Sequence, residues 1–200
     1  MAGVLRPVTA LLIAAAILLM GNGLLNVLIP VRADVEQFSR LEIGLLGSAY
    51  YAGLVAGCFV GPSVIARVGH IRAFVAFTAI VTITPLLHAI LTEPISWSAL
   101  RALNGLCFAG LFMSIESWLS GASTIETRGR VLASYTVLNL TVVTLGMQLM
   151  AVGSPSDFQL FSLVAILYSL AAVPVALTRT NAPVPSRTAK LRLAWLIGVS

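Results

Sequence analysis

Six apolar runs, each long enough to cross a bilayer and separated only by short polar turns, dominate this 200-residue sequence. A helix rises about 1.5 Å per residue, so about 20 residues cross the roughly 30 Å hydrocarbon layer. The runs lie at Val8 to Pro30, Ile43 to Ile65, Ala73 to Leu91, Trp97 to Leu119, Val131 to Val152 and Phe158 to Thr178. Lipid admits only helices or closed barrels as spanning structures, and none of the runs has the period-two alternation of a barrel strand. The expected fold class is an all-α membrane protein of six transmembrane helices. The first run is too long for the core of a signal peptide and has no small-residue cleavage site, so it reads as an uncleaved span.

Hydrophobic residues make up 58% of the chain and charged residues 10%, against about 25% charged in a soluble domain. Too few polar side chains exist to cover a water-facing surface. The net charge of +5 comes from basic residues scattered in the turns, not gathered in one basic surface, which excludes nucleic acid as the expected partner. With the amino end inside, inner segments hold Arg6, Arg67, Arg72, Arg128, Arg130, Arg179, Arg187, Lys190 and Arg192, while outer turns hold only Arg32 and Arg40. The positive-inside rule then places both termini in the cytoplasm. Residues 1–178 read as the six-helix unit and 179–192 as a basic, Pro-containing cytoplasmic linker. Residues 193–200 read as the start of a seventh helix or as a short amphipathic tail. Cys58 and Cys107 lack metal or redox spacing and read as packing residues.

The turn GPSVIARVGHIRAF resembles the signature between the second and third helices of the major facilitator superfamily. Gly61, Arg67, Gly69 and Arg72 match it in kind, with Ala66 where a carboxylate is usual and the first glycine displaced by one position. The fourth run, RALNGLCFAGLFMSIESWL, contains Arg101-x-x-x-Gly105-x-x-x-Ala109, which resembles the arginine-containing fourth-helix motif of that superfamily. ESWL at Glu116 to Leu119, followed by Arg128-Gly129-Arg130 and VLASYTVLN, resembles one bacterial subgroup of uncharacterised transporters. The glycine-proline signature of drug-proton antiporters is absent from the fifth run, where only Gly146 occurs.

The resemblance implies the amino-terminal half of a transporter in a bacterial cytoplasmic membrane, built from two inverted three-helix repeats. It implies a small-molecule solute, a coupling proton or ion, the lipid bilayer and a second six-helix half, in cis or as a homodimer. A non-transporting membrane scaffold built on a half-transporter is the alternative expectation.

At 100° per residue, Arg101, Gly105, Ala109, Phe112 and Glu116 fall within roughly an 80° arc of one helix. Small residues there allow close helix approach, and the charges must avoid lipid. Arg101 either snorkels to the headgroups or faces a cavity, where it binds an anionic solute or neutralises a coupling carboxylate. Asn22 and Asn26 lie one turn apart beside Gly21 and Gly23. With Arg101 and Asn104 they form the expected solute or cavity set, in line with a resembled fold whose first and fourth helices line the cavity.

Glu116 is the one carboxylate inside an expected span, within reach of Arg67, Arg72, Arg128 or Arg130. It reads as a gating latch, a static inner-face ion pair or a proton carrier, and Gly69 belongs to the same inner gate. His88, Asn139 and Gln148 read as packing polar residues. No metal-ligand spacing, cofactor fingerprint or catalytic constellation occurs, so neither an enzyme nor a bound cofactor is expected.

Overall fold

The computed structural model describes residues 2–177, with side-chain surroundings from residue 9 onward. The linker expected at 179–192, the seventh-helix start expected at 193–200 and the Arg6 side chain lie outside the described residues. The elements are α1 (Ala2–Val35), α2 (Arg40–Val68), α3 (His70–Ile90), α4 (Pro94–Gly121), α5 (Ile125–Gln148, continued by a 3-10 turn at Leu149–Val152) and α6 (Phe158–Ala176). There is no strand among the described residues, and all six helices are long and apolar enough to cross a membrane.

Several ends differ from the limits of the apolar runs. α1 continues through Pro30 to Val35, because a proline is tolerated in a membrane helix and the chain can stay helical beyond the hydrocarbon. α2 begins at Arg40 because Ser39 and Glu42 form a reciprocal capping box: the Ser39 amide donates to Glu42 Oε2 at 2.7 Å and the Glu42 amide donates to Ser39 Oγ at 3.3 Å. α5 starts at Ile125 and not near Val131, since Thr124 and Thr127 cap a first turn whose charged residues extend the helix past the apolar run. Two turns require positive φ: Gln37 (φ 62°) between α1 and α2, and Gly69 (φ 83°) between α2 and α3.

Short turns make consecutive helices cross in opposite senses, and an even number of crossings leaves both ends of the bundle on one face. α4 packs most extensively on α2 and also on α3, α1 packs on α5 and α6, and α3 packs on α6. Exchanging α1–α3 for α4–α6 maps this neighbour pattern onto itself. Since each group has three helices, the two run in opposite directions, as inverted repeats require.

The closest approaches are made through glycine. A Cβ on Gly53 would collide with the Ala102 backbone, one on Gly57 with Leu106 and Ala109, and one on Gly105 with the Tyr50 carbonyl. Gly61 faces Met113 and Gly110. The Gly53, Gly57, Gly61 series on α2 thus meets Gly105 and Ala109 on α4. Lipid gives helices no hydrophobic reason to associate, so this backbone contact supplies dispersion and Cα–H···O attraction in its place. The α1–α5 pair repeats the device, with Gly23 against the Val143 carbonyl and Gly146 against that of Met20.

Gly53→Val is expected to cost upwards of about 1–3 kcal/mol and to lower the thermal unfolding midpoint of the protein in mild detergent. Gly47→Ala, where nothing lies within 4 Å of the new methyl, is expected to gain about 0.5–1 kcal/mol in the same measurement.

Candidate functional site

The neighbour pattern puts α1 and α4 at the centre of the bundle, and their polar residues meet there. Arg101 on α4 is only 5% exposed, and its Nη2 donates to Asn26 Oδ1 on α1 at 3.0 Å. The guanidinium carbon sits 4.4 Å from the centroid of the Tyr50 ring on α2, a distance at which the ring face attracts a cation. The Tyr50 hydroxyl interacts with Asn22, which is itself buried. Tyr168 of α6 completes the group. It is fully buried within electrostatic range of Arg101, and Gly21 leaves the room its ring needs.

Arg101 therefore does not snorkel: its charge is turned inward, toward α1 and α2. Its Nε and Nη1 are buried without a hydrogen-bond partner, as are the Tyr168 hydroxyl and Asn22 Oδ1. No carboxylate pairs with Arg101 among the described residues, whose one ion pair joins Arg32 and Glu36. A membrane-embedded cation left without a counter-ion is costly, so the arrangement favours the approach of an acceptor or an anion.

Asn104 belongs to a different cluster from the one expected. It is fully buried toward α3, where its Nδ2 donates to Thr84 Oγ1 at 3.1 Å. His88 Nδ1 lies 2.7 Å from the Thr84 carbonyl, which makes that nitrogen the N–H donor. The His88 ring packs edge-on against Trp97 at 5.3 Å, and Trp97 also meets Phe38 and Phe161. The Trp97 indole N–H donates to the Leu91 carbonyl. Arg32 closes the same end: Nε donates to Glu36 at 2.7 Å, and Nη1 donates to the carbonyls of Pro155, at 3.0 Å, and Ser156. Side chains thus tie the α1–α2, α3–α4 and α5–α6 turns into the bundle.

At the opposite end, no comparable side-chain ties join the turns among the described residues. Glu116, Arg67, Arg72, Arg128 and Arg130 are all exposed, and none of these arginines forms an ion pair with Glu116 in this conformation. Gly69 serves its turn through its positive φ. Glu116 instead lies within electrostatic range of Tyr135 on α5, whose hydroxyl is buried without a partner. Of the expected set, the structure gathers Asn22, Asn26 and Arg101, places Asn104 one turn away on a different face, and leaves the inner charges apart. Tyr50, Tyr168 and Trp97 were not legible as site residues, because aromatics in an apolar run carry no periodic mark that separates a site residue from a packing one. The glycine spacing on α2 was a usable signal for the helix face that carries Tyr50.

A bundle of six membrane-crossing helices that seals a guanidinium among asparagines and tyrosines is a multi-pass membrane protein with a polar site inside the bilayer. The chain belongs to the Major Facilitator Superfamily, whose family model matches residues 11–197. Among curated relatives, the uncharacterized MFS-type transporter YcaD of Escherichia fergusonii is 26% identical over 174 residues, covering 87% of this chain and 46% of the relative. The YcaD proteins of Escherichia coli O6:K15:H31 and Escherichia coli O139:H28 are each 28% identical over 174 residues, with the same coverage of 87% and 46%. The chain spans about half the length of the curated relatives it matches.

Replacing Tyr50 with Leu is expected to destabilise the protein by about 0.5–2 kcal/mol through loss of the cation–π contact. Tyr50→Phe, which keeps the ring face, should retain most of that contribution. Paired unfolding curves in detergent check the difference.

Proposed function

We propose that this chain provides one six-helix half of a secondary active transporter that moves a small solute across a bacterial cytoplasmic membrane by alternating access. The supporting observation is the Arg101 group: a buried cation between α1 and α4, held by Asn26 and Tyr50, with two guanidinium nitrogens buried without a hydrogen-bond partner. Arg101, Asn22 and Asn26 act in solute recognition, with Asn104 bracing α4 against α3 behind them. A second six-helix half, in cis or from another copy, faces this one. α2 and α5 are the least buried helices and yet are not the most apolar, which suits contact with protein or a watered path better than contact with lipid alone.

Both termini face the cytoplasm in this reading, as the inner arginines favour. Glu116 forms the inner gate with Arg67, Arg72, Arg128 or Arg130 around the Gly69 turn, pairing when that side closes and separating as in the present conformation. A proton or another ion supplies the driving gradient.

Uptake of a panel of labelled solutes into proteoliposomes tests the proposal in the full-length protein. Arg101→Gln is expected to reduce flux of the responsive solute about ten- to a hundredfold, the loss of one charge-assisted hydrogen bond, with Arg101→Lys in between. Absence of flux for every solute in the wild-type protein would favour the scaffold alternative.

A further inference from the structure

We propose that His88 is a proton-binding residue that takes up its proton only while an anion neutralises Arg101, so that a proton and an anionic solute cross the membrane together. This role presupposes the reading of the Arg101 group as a solute site, and gives that site its coupling ion and the residue that carries it.

His88 is fully buried on α3, close to the end of the helix at Ile90. Its Nδ1 lies 2.7 Å from the Thr84 carbonyl, and its second backbone partner is Trp97 of α4. With Nδ1 committed to Thr84, Nε2 is left for the Trp97 carbonyl, yet that nitrogen is buried without a hydrogen bond. A neutral imidazole has one N–H to give. Between two carbonyls it leaves a nitrogen lone pair against an oxygen lone pair, whereas the protonated ring donates on both sides. The two carbonyls thus prepare a place for a proton on Nε2.

The surroundings hold the ring in position. Pro85 has no amide to give the Val81 carbonyl one turn back, and the Thr84 hydroxyl donates to that carbonyl at 2.9 Å instead. From α4, Asn104 Nδ2 donates to the same hydroxyl at 3.1 Å. Trp97 lies edge-on against the imidazole at 5.3 Å.

α2, α4 and α6 all pack against α3. α4 brings Arg101, whose charge acts on the His88 ring. Tyr50 of α2 and Tyr168 of α6 stand within electrostatic range of Arg101. Among the described residues, no carboxylate pairs with His88 or with Arg101. Like charges within range of each other repel strongly in a medium of low dielectric. A proton on Nε2 and a bare Arg101 charge therefore oppose each other, and an anion at Arg101 removes the opposition. Linkage is reciprocal, so the anion favours the proton by the same factor as the proton favours the anion. One proton with one monovalent anion carries no net charge, and the pair moves in response to a pH gradient and not to a membrane potential.

Nitrogen-15 solid-state NMR of the His88 ring, in the full-length protein in bilayers, tests this coupling, with the signal assigned by its loss in His88→Gln. Without solute at about pH 7, where histidine is poised to titrate, the wild-type ring is expected to be neutral with its hydrogen on Nδ1. Arg101→Gln removes the repelling charge as a bound anion would, and is expected to raise the ratio of protonated to neutral ring by about tenfold or more. Arg101→Lys, which keeps the charge, should stay near the wild type. An unchanged ratio in Arg101→Gln would overturn the proposal. So would Arg101→Lys matching Arg101→Gln, because packing and not charge would then be the cause. In proteoliposomes, accumulation of a solute from the uptake panel under a pH gradient should fall about tenfold or more in His88→Gln, and undiminished accumulation would contradict the assignment. A wild type that moves no panel solute would count against the transporter reading, and the spectra would then decide the proton site alone.

Discussion

The contact between the α2 and α4 backbones is the constraint on which the rest of the structure depends. Gly53, Gly57 and Gly105 remove the side chains that would hold the helices apart, and the resulting approach brings the Tyr50 ring over the Arg101 guanidinium. In water, a hydrophobic core could hold two helices together across a wider gap. In lipid the tails are as apolar as the side chains, so close fit has to supply the attraction. The same device recurs between α1 and α5, where it seats α1 so that Asn22 and Asn26 face the centre. Packing and polar chemistry are therefore coupled through the position of α4.

The two ends of the bundle differ in how they are secured. On one side the Arg32 contacts and the Trp97 group with Phe38, His88 and Phe161 bind the turns to neighbouring helices. On the other, the Gly69 turn and the α4–α5 turn have mainly local hydrogen bonds and carry exposed arginines. A bundle secured in this way is tied across its turns at one end, while at the other the described turns are held mainly by their own local hydrogen bonds. The glycine-packed surroundings of Arg101 and the unpaired charges near Glu116 are consequently parts of one arrangement.

The six spans were legible in the sequence because a bilayer demands long uninterrupted apolar runs, and that demand leaves a mark at every residue. Helix ends were less legible. Pro30 suggested a stop, yet the hydrogen-bond ladder continues to Val35; the charges after Thr124 suggested a loop, yet they occupy a capped first turn. The meeting of Asn26 with Arg101 was foreshadowed by the placement of both on helices expected to line a cavity. The Tyr50 contact was not, since it arises only once the glycine register of α2 against α4 is set. Asn104 lies so near Arg101 in sequence that a shared role was natural, but a rotation of three residues around the helix turns it toward Thr84 on α3. Long-range pairing of single polar residues depends on tertiary register, which periodicity does not encode.

Solid-state NMR dipolar recoupling between Arg101 guanidinium nitrogen and the Asn26 side-chain carbonyl carbon, in lipid bilayers, tests the central claim most directly. The Nη2 to Oδ1 distance of 3.0 Å predicts a nitrogen–carbon separation of about 4 Å, one carbonyl bond beyond the acceptor, and hence strong dephasing. Dephasing no greater than in an Asn26→Ala control would mean that Arg101 is not held against α1, and the coupled packing of α1, α2 and α4 described above would be wrong.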